Sequence, residues 1–162
     1  MATSTTKKAV IRRFQRENLA GYVNPLSYLQ PTGVELLTAE GQIRQVPYAE
    51  IKTVSFVRDF DAPEEAERQV FLNRPKMEGL WVRFGFLDGE VMEGILPNNL
   101  LPVEPYGFLV IPPHPYNAQQ RVFLPRAALS TVEVLGVVGS PLRMRKPKAV
   151  AKEQLEMFDQ QS

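Results

Sequence analysis

With 162 residues, no cysteine and a net charge of +1, the chain has room for one domain or two small ones and cannot build a disulfide framework or a thiolate metal site. Its 14 prolines and 10 glycines favour short strands and many turns over long helices, while 44% hydrophobic residues are enough to bury a core. No signal-peptide pattern opens the chain and no apolar run reaches the roughly 18 residues of a membrane span, which predicts a cytoplasmic protein with no membrane partner.

Residues 1–8 are polar and small and predict a frayed terminus. A strand is expected from Ala9 to Phe14, a turn near Glu17-Asn18, a strand over Gly21 to Val23 and a loop from Asn24 to Gln30. Gly33 to Thr38 and Gln42 to Val46 read as a hairpin around Ala39-Glu40-Gly41. Pro47 ends it, Tyr48 to Ile51 allow one helical turn, and Thr53 to Val57 form a last strand. In the segment from Asp61 to Asn73, Asp61 is a helix N-cap, Pro63 suits the first turn and Glu64 and Glu65 complement the positive helix end. Ala66 and Val70 then share a face, so a short linking helix is predicted.

The second half is the more regular. Val82, Phe84 and Phe86 alternate with Arg83, Gly85 and Leu87, the period of a half-buried strand. Asp88-Gly89 supplies a hairpin turn, and Glu90 to Leu96 returns with Gly94 inside it, marking a bend. Asp88, Glu90 and Glu93 suit the turn and a solvent-facing edge. Strands follow at Gly107 to Ile111 and Arg121 to Leu124, then a tight turn at Ala127 to Ser130 and a strand at Thr131 to Leu135. Beyond Gly139-Ser140-Pro141 the chain turns basic and polar and predicts a disordered tail.

The two halves repeat. Leu29 to Val34 matches Val103 to Phe108 at an offset of 74, Val46 to Val54 matches Leu124 to Val132 at 78, and Gly21 matches Gly94 at 73. The offset changes only in loops, as a duplicated unit requires.

The run Leu87-Asp88-Gly89-Glu90-Val91-Met92-Glu93-Gly94-Ile95-Leu96 resembles the first motif of the Sm-like family, and Arg121 to Val134 resembles the second. Pro125 to Val132 is similar to the segment of the Hfq-like RNA chaperones that carries an RNA-contacting Lys-His pair, with Arg126 and Ala127 standing in its place. The resemblance implies an all-β fold of two tandem five-stranded Sm-like (SH3-like) barrels, residues 9–59 and 80–139, joined by a linker with a short helix at 60–79. It also implies assembly through strand edges into a homo-oligomer, and a bacterial protein that binds single-stranded RNA.

Charge divides unevenly: residues 1–60 carry +3, 61–80 and 81–140 carry −2 each, and 141–162 carry +2. Phosphate neutralisation needs a basic face, so nucleic-acid contact is expected on the first barrel, at Arg12, Arg13, Phe14 and Arg16. On one strand, Arg12 and Arg16 would share a face with Val10 and Phe14, giving phosphate grips beside a stacking ring. The same arginines resemble the RxxxR motif of PilZ domains, which implies a cyclic-dinucleotide sensor, although that family's second motif has only a loose echo in Ser27 to Gly33. In the tail, Gln154, Leu155, Met157 and Phe158 resemble the pentapeptide with which bacterial proteins bind the sliding clamp, implying a protein adaptor. His114 is the single histidine and has no metal-binding companions. No nucleophile with a base, metal cluster or phosphate loop can be assembled, so neither a catalytic residue nor a cofactor is expected.

Overall fold

The computed structural model describes residues 6–60, 69–113 and 121–139, and they form an all-β structure. The first half contributes β1 (Lys7–Arg13), β2 (Leu19–Val23), the two-residue β3 (Leu29–Gln30), β4 (Gly33–Leu37), β5 (Ile43–Pro47) and β6 (Ile51–Phe56). The second contributes β7 (Gly79–Phe86), β8 (Val91–Leu96), β9 (Gly107–Val110), β10 (Val122–Pro125) and β11 (Leu129–Val138). A one-turn 3-10 helix separates the last two strands of each half, at Tyr48–Glu50 and Arg126–Ala128.

Eight strands form one sheet, curled into a half barrel, along the path β3-β4-β2-β1-β6-β10-β9, with β5 on β4 as well. The remaining three form the sheet β11-β7-β8, and an antiparallel bridge between Ile95 and Ile111 ties β8 to the end of β9. Leaving β3 aside, the first half therefore lies in the spatial order β5, β4, β2, β1, β6 and the second in the order β10, β9, β8, β7, β11. In both, the chain's fourth strand is at one side and its fifth at the other.

The local geometry repeats with the order. Gly33 pairs with Pro47, and Gly107 pairs with Pro125. A Cβ on Gly33 would strike the carbonyl of Val46, and one on Gly107 the carbonyl of Leu124, so both positions require glycine for close backbone approach. The two prolines have nearly the same backbone, φ −61° and ψ 142° at Pro47 against φ −63° and ψ 141° at Pro125. Each lacks an N–H, ends its ladder, and leads into the 3-10 turn.

Two cores fill the fold. Ala9, Ile11, Val23, Tyr28, Val34, Leu36, Val46, Ile51 and Val54 form the first; Val82, Phe84, Phe86, Met92, Leu96, Val110, Val122, Leu124 and Ala128 form the second. They meet where β6 pairs with β10, Ser55 opposite Val122 and Val54 opposite Phe123. Phe123 belongs to the second half by sequence but is buried in the first core, where its ring meets Tyr28 edge-on at 6.1 Å. An aromatic of this size contributes about 1.5–3 kcal/mol by burial.

Three expectations change. Strand β1 ends at Arg13, so Phe14 and Arg16 lie beyond it and do not continue its faces. Phe14 packs on the second core instead. Glu93 is not at a solvent-facing edge: it is 3% exposed and accepts hydrogen bonds from the Phe71 N–H and the Trp81 indole at 3.1 Å and from Arg83 at 3.2 Å. Its own N–H donates to the Gln69 carbonyl at 2.7 Å, so residues 69–71 lie over β8 and bury what would be its outer face. Of the predicted linking helix, 61–68 lie outside the described residues, and 69–73 are bends and loop without helical structure. His114 and the tail residues Gln154, Leu155, Met157 and Phe158 also lie outside the described residues. No helix among the described residues is long and apolar enough to cross a membrane.

Candidate functional site

Residues directly opposite one another in an antiparallel ladder project from the same face. Arg12 faces Thr53, Val10 faces Ser55, and Ser55 faces Val122 across β1, β6 and β10. Of these, Arg12, Thr53, Ser55 and Val122 floor a groove whose opposite wall comes from the β7–β8 hairpin of the second half: Phe86, Glu90 and Met92. Gln69, Pro112 and Pro113 line its remaining sides. The cavity measures about 80 Å³, room for a few waters or one small planar group.

Lys52 reaches this groove through a defect in the ladder. The pairing shifts from Arg12–Thr53 to Arg13–Ile51, leaving Lys52 as the extra residue of a β-bulge. A bulge re-aims its side chain. The Lys52 ammonium lies 2.7 Å from the Asp88 carboxylate, contacts Glu90 as well, and sits over the rings of Phe86 at 5.1 Å and Phe14 at 5.9 Å. Burial disfavours the ammonium, but the hydrogen bonds and charges of Asp88 and Glu90 outweigh it and raise the lysine above its ordinary value. The hydrogen bond from Lys52 in turn holds the Asp88 carboxyl below its usual range. This triad crosses from one half to the other. Its lysine side chain is only 15% exposed, so the charges fix the groove's shape more than they offer themselves to a ligand.

Thr53 distinguishes the groove. It is 7% exposed, and its Oγ1 has no hydrogen-bond partner in the structure. Native proteins pair nearly all such atoms, and an unpaired one costs about 1–3 kcal/mol. Ser55 beside it is 6% exposed and lines the same cavity. Two buried hydroxyl groups, an arginine and aromatic walls are the equipment for holding a flat polar ligand by its edge.

The four residues expected to contact nucleic acid do not form one surface. Arg12 lines the groove, and Phe14 lies beside Lys52 behind it. Arg13 turns its Nε to the Glu17 carbonyl at 2.9 Å, and Arg16 pairs with Glu50 at 3.2 Å. The RxxxR pair is thus divided between two environments. Sequence reading missed Lys52, Thr53, Ser55, Phe86 and Glu90. The signal for Thr53 was the Thr-Val pair shared by the two halves; its burial depends on the second half closing over it.

A second polar cluster surrounds the 3-10 turns. Tyr48 stacks on Tyr106 with centroids 5.2 Å apart and donates its hydroxyl proton to the Gln30 carbonyl at 2.6 Å. Burial, with Tyr106 and Glu104 nearby, pushes the Tyr48 phenol up to about 12, so it stays a neutral donor at physiological pH. Arg126 lies over the Phe108 ring at 5.2 Å. Among the described residues no group of three or more His, Cys, Asp or Glu side chains could hold a metal ion.

No curated protein and no solved structure matches the chain. A family model matches residues 5–136, across both halves and every residue of the groove, and the chain therefore belongs to that family, described as a family of unknown function (DUF6982).

Proposed function

We propose that the chain is a non-enzymatic nucleic-acid-binding protein, built of two Sm-like barrels in tandem, that takes single-stranded RNA in the groove between them. The recurrence of one strand order in both halves supports the architecture. The groove carries the functional reading: a buried, unpartnered Thr53 hydroxyl beside Ser55, Arg12 and the Phe86 ring. A base entering it would meet hydrogen-bonding groups at the floor and apolar faces at the walls, while Arg12 serves the phosphate. The first half supplies the net positive charge.

The test is fluorescence anisotropy with a short single-stranded RNA at low and moderate salt. Arg12→Ala is expected to weaken binding about tenfold and to lower the salt slope by about one phosphate contact. Thr53→Val, which keeps the shape and removes the hydroxyl, weakens binding about fivefold or more yet leaves the fold as stable or up to about 1 kcal/mol more so. Binding lost while stability is kept is a pattern that core damage does not produce. A wild type that does not bind RNA at low salt defeats the reading.

A further inference from the structure

The sheet that floors the groove has a second face. Across β6, β10 and β9, Val54 lies opposite Phe123 and Phe123 opposite Leu109, one residue out of step with Ser55, Val122 and Val110. Successive residues of a strand project to opposite faces, so Leu109 stands on the side away from the groove. Two cavities open there, of about 130 Å³ and about 150 Å³, and Glu104, Leu109 and Arg121 line both. They adjoin as one cleft with a charged waist. Leu96, Val103 and Phe108 wall the first cavity, and the second adds Lys7 and Tyr28. Phe56 is the one lining residue that this cleft shares with the groove.

The polar groups of the cleft are uncommitted. Tyr28 is 4% exposed, with its ring held edge-on by Phe56 at 5.5 Å and Phe123 at 6.1 Å, yet its hydroxyl makes no hydrogen bond with any described residue. A polar group so placed is rarely left unpaired. Burial, and then the Glu104 carboxylate, push this phenol above its ordinary value, so it remains a donor at physiological pH. Among the described residues none of Lys7, Glu104 and Arg121 forms an ion pair. The second cavity therefore gathers the donors of Lys7, Arg121 and Tyr28 around the single carboxylate of Glu104.

These groups select one class of ligand. Donors of this kind suit a carboxylate or a phosphate. The apolar cavity beside them suits a hydrophobic body, and a cavity of about 150 Å³ is known to hold a benzene ring. Glu104 opposes a doubly charged phosphate and attracts a cation placed close to the anion. We infer that the cleft binds a free apolar α-amino acid: Arg121, Lys7 and the Tyr28 hydroxyl hold its carboxylate, Glu104 holds its ammonium, and its side chain enters the cavity walled by Leu96, Val103 and Phe108. A peptide carries its two terminal charges on different residues, whereas Glu104 and Arg121 flank one waist and match charges on one carbon. The site stands apart from the RNA reading, since it occupies the other face of the sheet.

The test is a titration of the isotope-labelled full chain with L-leucine to about 10 mM, followed by backbone amide shifts. Saturable shifts are expected at Tyr28, Val103, Leu109 and Arg121. N-acetyl-L-leucine lacks the ammonium and L-leucinamide lacks the carboxylate, and each is expected to bind about tenfold or more weakly. Arg121 is exposed, so Arg121→Gln keeps the fold while weakening leucine binding about tenfold. Tyr28→Phe removes only the hydroxyl and keeps the ring in its core. It is expected to weaken binding about fivefold with the melting temperature unchanged. No saturable shift with leucine, an analogue that binds as tightly as leucine, or either variant binding as the wild type does would each overturn the inference.

Discussion

Phe123→Ala is expected to destabilise the protein by about 3–5 kcal/mol, the usual cost of removing a fully buried aromatic. The size follows from position. The side chain is 0% exposed and enters a core whose other members all come from residues 9–54. It also meets Tyr28 edge-on, an arrangement worth about 0.5–1.5 kcal/mol beyond burial. Among the buried members of that core, Phe123 alone comes from the second half. The loss therefore falls on both halves, and chemical denaturation followed at Trp81 in the second half should show the shift. A change under about 1 kcal/mol would mean that the halves do not share this contact. Phe123→Leu keeps most of the volume and is expected to cost less than half as much.

Glu93→Ala has the next largest expected effect, a loss of about 3 kcal/mol. Its carboxylate accepts from three donors on two segments: the Phe71 N–H of the loop, and the Trp81 indole and the Arg83 guanidinium of β7. Alanine leaves the first two part-buried and without an acceptor. The Arg83 side chain is 46% exposed and regains water, which limits the cost. Residues 69–71 then lose their side-chain tie to β8, and the Phe71 ring loses its seat edge-on to Trp81 at 6.4 Å. Denaturation gives the stability, and hydrogen exchange at Phe71 gives the local effect. Glu93→Gln keeps one acceptor oxygen and is expected to fall between the alanine variant and the wild type. Exchange at Phe71 unchanged in Glu93→Ala would show that the carboxylate does not hold this segment.

The strands were legible because most of them obey a local rule. Val82, Phe84 and Phe86 alternate and are all buried, and the Asp88-Gly89 turn follows at the expected place, with Gly89 at φ 90°. The matched glycines were legible too, since close backbone approach demands glycine at both 33 and 107 and therefore leaves a mark in sequence. Glu93 was misread because alternation describes one partner face, whereas Met92 to Leu96 are buried without interruption. The cover over Glu93 comes from residues 69–71, a contact that no local period encodes. The arginine cluster was misread for a similar reason. Its spacing assumes a straight strand to Arg16, but the ladder is bulged at Lys52 and β1 stops at Arg13. The groove itself was not legible. Its lining comes from both halves, which the β6–β10 pairing and the contacts of Lys52 with Asp88 and Glu90 bring together.

A nucleic-acid base held in the groove between the halves must touch both of its sides. The most direct measurement is a titration of the isotope-labelled chain with a short single-stranded RNA, following backbone amide shifts residue by residue. Saturable shifts are predicted on both sides of the groove, at Arg12, Thr53 and Ser55 and also at Phe86 and Met92, with Arg13 and Arg16 affected less. Shifts confined to other surfaces, or none at RNA concentrations near 1 mM, where an affinity of about −4 kcal/mol would still be visible, would contradict it.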